Sequence, residues 1–191
     1  MSACPTLTAF IAQHPTATIT RAQTTYLELQ TEEGSYRIKF KEKAEAKLKP
    51  GHGGALACFT QHPLLLVHNE ETATVYLHSK PKDPQALREE IQQAITALYQ
   101  GWRDWRSHFF GWRYAGAEHL LVRNLTEGSG MLLERAPASV AQVVLAACEK
   151  YGAATTVFGS AAPDPTVPAV FCLLCLGSSY VIAKGFEVAA M

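Results

Sequence analysis

Pro81-Lys82-Asp83-Pro84-Gln85-Ala86-Leu87-Arg88-Glu89-Glu90-Ile91 opens the segment that decides the fold class. Asp83 carries a short acidic side chain of the kind that accepts hydrogen bonds from the free amides at a helix start. Pro84 suits the first helical position, where its missing N–H costs nothing. Glu89 and Glu90 fall in the early turns, where the helix dipole favours negative charge. Leu87, Ile91, Ala94, Leu98, Trp102, Trp105, Phe109 and Trp112 then advance by threes and fours, the period of one packed helical face. The spacing predicts a helix over 83–110, with Gly101 and Gly111 as the places where it bends or stops.

Upstream of that helix the period drops to two. Tyr26, Leu27 and Leu29 precede Glu32-Glu33-Gly34, after which Tyr36, Ile38 and Phe40 alternate with Arg37, Lys39 and Lys41. This is the pattern of a half-buried hairpin with one apolar and one basic face. Residues 55–60, 64–68 and 72–78 read as further strands, and Leu7, Phe10, Ile11 and His14 as a short N-terminal helix ended by Pro15.

Downstream, residues 120–124 and 131–134 read as a second hairpin about Thr126-Glu127-Gly128-Ser129-Gly130. Ser139 and Gln142 match a capping box for a helix over 139–151 that turns Val140, Val143, Val144, Ala147, Cys148 and Tyr151 inward and stops at Gly152. A strand at 154–158 follows, then two apolar strands, 170–176 and 180–188, around Gly177-Ser178-Ser179. The apolar run 167–183 is shorter than the roughly 20 residues a membrane helix needs.

These elements define an α+β fold, a mainly antiparallel sheet packed against two principal helices (83–110 and 139–151) with a short N-terminal helix. Residues 1–191 are read as a single domain; the alternative is two sub-halves, 1–80 and 117–191, joined by the 83–110 helix. The final strands carry little charge on either face and must be covered on both, which makes a homodimer an expectation.

Composition sets the limits on function. The 191 residues are 48% apolar, enough for a real core and far from a disordered or collagen-like chain. Seventeen Lys+Arg balance seventeen Asp+Glu, so there is no global field to hold a membrane surface or make nucleic acid the main partner. Five cysteines, an odd number set mostly in apolar runs, read as reduced core thiols. Met1-Ser2-Ala3-Cys4-Pro5 shows no secretory pattern, so a cytoplasmic location is expected.

The least ordinary stretch runs from Gly101 to Tyr114 and holds all three tryptophans. Arg103, Arg106 and Arg113 fall beside the Trp stripe, so a basic edge flanks an aromatic one. Guanidinium forks and indole faces together pair with an anion and stack on a ring. The helical spacing assigns Trp102 and Trp105 to packing and leaves Trp112, beyond Gly111, as the exposed aromatic. Arg103, Arg106, Trp112 and Arg113 are therefore the candidate ligand-binding residues.

A second basic surface lies in the hairpin. Arg37, Lys39, Lys41, Lys43, Lys47 and Lys49 against Glu42 and Glu45 leave an excess of four positive charges. An exposed strand that uses lysines against edge pairing has the same composition.

His68-Asn69-Glu70 and Cys172-Leu173-Leu174-Cys175 hold the residue types by which zinc deaminases bind metal and place a general acid/base. Phe171 stands where that arrangement has proline, and in a strand Cys172 and Cys175 face opposite ways, so no metal site is assigned. The sequence holds no H-E-x-x-H, phosphate-loop or G-x-S-x-G pattern, and no cofactor is implied. The expectation is a non-enzymatic binding or adaptor protein for a protein partner or small anionic ligand. A metal-dependent hydrolase or deaminase-like enzyme using His68 and Glu70 is the alternative, and a structural subunit of an assembly is the third.

Overall fold

A computed structural model describes residues 5–100 and 118–191, which divide into two compact units. Residues 1–68 and 168–191 form the first, and residues 69–167 the second, inserted in its chain path. The chain passes from the first unit to the second after His68 and returns to the first at Pro168.

The first unit is a closed six-stranded antiparallel barrel. Its strands are β1 (Thr16–Ala22), β2 (Tyr26–Gln30), β3 (Ser35–Lys47), β4 (Gly53–Phe59), β8 (Cys172–Leu176) and β9 (Ser179–Ala190), in the order β1-β2-β3-β9-β8-β4. Alternation places Ala17, Ile19, Leu27, Leu29, Ile38, Leu56, Leu174 and Val181 inside. Helix α1 (Pro5–Gln13) adds Leu7 and Phe10 to the same core, and each such leucine or phenylalanine contributes about 1.5–3 kcal/mol by leaving water. β8 and β9 join through two residues, the first being Gly177 at φ +56°, a backbone position that glycine supplies without strain.

The sequence reading misses β1, because its apolar face is only Ala17 and Ile19 among threonines, and with β1 it misses the closure. The expected strand at 64–68 is also corrected. Pro63–Leu65 is a 3₁₀ turn running into α2 (Leu66–Asn69). His62 caps this turn by accepting the Leu64 N–H at Nδ1 (3.1 Å), and Pro63 stands just inside its start.

The second unit has a three-stranded antiparallel sheet in the order β6 (Gly130–Pro137), β5 (Thr72–Leu77), β7 (Thr155–Gly159). Helix α5 (Ala138–Lys150) lies against β5 and β6, while α3 (Pro84–Leu98) packs on α5 and on α4 (Glu118–Glu127). One of the two expected principal helices thus covers the sheet directly, and α3 builds mainly on the helices. In α3, Leu87, Ile91 and Ile95 are fully buried at a spacing of four, and Asp83 Oδ1 accepts the Ala86 N–H at 3.0 Å, as the cap reading requires.

Three local expectations change here. Within the described part of the expected 83–110 helix, α3 stops at Leu98, because the Gln100 N–H turns back to Ala97 O and Gln100 takes φ +53°, a conformation that ends a helix; residues 101–110 lie outside the described residues. Residues 120–124 are helical and not a strand, since a short apolar run does not distinguish the two by period. Ser139 lies inside α5 and not at its cap; Pro137 holds the cap position without a side-chain bond. The other end of α5 behaves as expected. Gly152 at φ +67° lets its own N–H reach Glu149 O and lets the Ala153 N–H reach Cys148 O, a Schellman stop. Among the described residues no helix is long and apolar enough to cross a membrane.

Candidate functional site

β3 is longer than its neighbour β2. Over residues 36–39 it is paired on both sides, but from Lys41 to Lys47 it is paired with β9 alone. The pairing register slips between Lys43 and Glu45, a bulge that redirects side chains at this end of the strand. Lys39, Lys41, Lys43 and Lys47 are all exposed.

The acids that the sequence sets against these lysines are already engaged. Glu42 pairs with Lys184 of β9. Glu45 accepts a 2.5 Å hydrogen bond from the Tyr180 hydroxyl on one oxygen and faces His68 Nε2 at 3.3 Å on the other. Upstream, Arg37 is held by Glu28 at 2.7 Å and Lys41 by Glu187 at 2.6 Å. Lys41, and to a lesser degree Lys39, hold the Glu187 carboxyl below its ordinary range by hydrogen bonding and charge. Among the described residues no carboxylate comes within ion-pair distance of Lys43, Lys47 or Lys49. The unbalanced charge therefore gathers on the β3 overhang and the turn after it.

His68 thus meets Glu45, whose other oxygen is held by Tyr180, and its ring lies 5.5 Å from that of Phe171. Glu70 does something else. Its Oε2 accepts the Ser139 N–H at 2.8 Å and its Oε1 the Ser139 hydroxyl at 2.5 Å, while Glu71 O takes the Ala138 N–H at 2.9 Å. The Glu70-Glu71 segment is in effect the N-terminal cap of α5, supplied from elsewhere in the chain, and a carboxylate there also answers the helix dipole. His68 and Glu70 each have partners of their own and do not form a pair.

Cys172 lies in the barrel core while Cys175 is half-buried on the other face, so the two do not converge. Among the described residues no group of three or more His, Cys, Asp or Glu is placed to hold a metal ion. Arg103, Arg106, Trp112 and Arg113 lie outside the described residues. Sequence reasoning missed Glu45, Tyr180 and Ser139 as partners, because they lie far along the chain from the residues they bind. Only the alternating lysines of β3 announce this region. Comparisons with protein-family models, curated proteins and solved structures find no match to this chain.

Proposed function

We propose that the chain is a non-enzymatic binding or adaptor protein for an acidic protein segment, and that the β3 overhang with Lys43, Lys47 and Lys49 is a contact surface. A single observation supports this reading: both acids within the basic strand, Glu42 and Glu45, are engaged by Lys184, Tyr180 and His68, while Lys43 and Lys47 stay exposed. Exposed ammonium groups in water bind weakly one by one and gain as a cluster opposite like-spaced carboxylates, mainly by steering the encounter. Arg103, Arg106, Trp112 and Arg113 are proposed as a second basic and aromatic surface for an anionic or aromatic group.

The test uses the full chain and an immobilised glutamate-rich peptide. Retention that is lost in Lys43→Gln/Lys47→Gln/Lys49→Gln supports the overhang, and retention lost in Arg103→Ala/Arg113→Ala supports the second surface. Retention unchanged in both, with the fold intact by circular dichroism, refutes the proposal.

A further inference from the structure

The three-stranded sheet of the second unit has two edges of different character. The β6 edge is bulged, with register shifts on either side of its pairing with Val75, and it carries Glu134 and Arg135, the latter at φ +50°. Charge and irregularity are the usual means of keeping a sheet edge from pairing with another chain. β7 has neither. Thr155-Thr156-Val157-Phe158-Gly159 contains no charged residue, no proline and no register shift against β5.

The phase of the β5–β7 ladder shows which backbone groups remain. The His78 N–H bonds Ala154 O and the Ser160 N–H bonds Thr72 O, so the even-numbered residues from 154 to 160 point their backbone groups at β5. Thr155 and Val157 turn theirs away, and among the described residues no strand lies beyond β7. On the sheet face, Phe158 is 61% exposed with its ring set edge-on to Tyr76 at 5.7 Å.

We infer that β7 pairs with β7 of a second copy of this chain, antiparallel across a two-fold axis at Val157. That register sets Val157 against its counterpart in a hydrogen-bonded pair, which uses the outward N–H and C=O of both. It sets Thr155 opposite Gly159 and Thr156 opposite Phe158, so each exposed phenyl ring gains a cross-strand neighbour and no like charges meet. The strand is complementary to itself, and its uncharged side chains offer nothing that would select an acidic or basic foreign segment. The two sheets would join into one continuous sheet, an isologous contact. This contact is independent of the lysine surface and stands or falls without it.

Light scattering during size exclusion, on the full chain over a concentration series, reads the assembly. Wild type is expected at twice the chain mass. Phe158→Lys, at a position 61% exposed in the single copy, is expected to elute as monomer. Thr155→Pro is expected to do the same, because it removes an outward N–H at the first residue of an edge strand, where proline is tolerated. Val157→Cys is expected to form a symmetric disulfide on mild oxidation, since Cα atoms of a hydrogen-bonded pair stand about 5.5 Å apart. A wild-type chain that stays monomeric, whether or not it takes up an extended peptide, overturns the inference. So does a dimer that survives both Phe158→Lys and Thr155→Pro and fails to cross-link through Cys at 157.

Discussion

Removing the Glu70 carboxylate should unravel the start of α5, and the size of the effect can be worked out from its contacts. Glu70→Ala deletes the acceptor of the Ser139 N–H and of the Ser139 hydroxyl. Loss of a helix-start acceptor costs about 1 kcal/mol. The hydroxyl bond contributes about 1 kcal/mol more. A negative charge at the positive end of the helix dipole adds about 0.3–1 kcal/mol. The sum is about 2–3 kcal/mol, which for a chain of this length lowers Tm by about 5–10 °C. Glu70→Gln keeps an acceptor for the amide and a donor for the hydroxyl, so it should lose only the charge contribution and cost about 1 kcal/mol or less. Ser139→Ala should cost about 1 kcal/mol, and the double variant less than the sum, with a coupling of about 1 kcal/mol. Thermal and urea unfolding followed by circular dichroism measure all four proteins. A Glu70→Ala chain within about 0.5 kcal/mol of wild type, or strict additivity with Ser139→Ala, would refute the capping argument.

Other consequences are equally direct. Leu174→Ala, inside the barrel at 2% exposure, should cost about 2–5 kcal/mol in urea unfolding, whereas Val170→Ala, half exposed, should stay within about 0.5 kcal/mol. Burial pushes the Cys148 thiol up to about 11, so iodoacetamide at mildly alkaline pH should leave Cys148 unmodified in the folded chain and modify it in urea, as peptide mass spectrometry would show. Burial, with the Glu70 charge adding to it, holds the Tyr99 phenol above the ordinary tyrosine range. The folded chain therefore keeps a proton that the unfolded chain begins to release near pH ~10, so the associated stability is whole below that pH and is lost as pH rises through the folded value. Tyr99→Phe should flatten the alkaline fall in urea stability; an unchanged slope would contradict that assignment.

How much of this could be read in advance depends on where each signal resides in the chain. Asp83-Pro84, the Leu87/Ile91 spacing and the Gly152 stop are local, and each holds residue for residue. The β2–β3 and β8–β9 hairpins are likewise local, joined by short turns with glycine where the backbone needs it. What could not be read is pairing across distance. The barrel closes where β3 meets β9 and β1 meets β4, contacts that no periodicity encodes. Ser139 looked like a cap because Gln142 follows it at the right spacing, yet the real cap comes from Glu70, 69 residues away along the chain. In the sequence Glu45 is one charge against the lysines; in the fold Tyr180 and His68 occupy its two oxygens. A sum over sequence cannot say which charges are spent.

Salt titration of the acidic-peptide interaction tests the central reading most directly. The reading predicts binding that weakens steeply as sodium chloride rises, with a slope that flattens when Lys43, Lys47 and Lys49 become glutamine, because exposed charges are screened within about 8–10 Å at such ionic strengths. Binding indifferent to salt, or an equal slope in wild type and the triple variant, would contradict it.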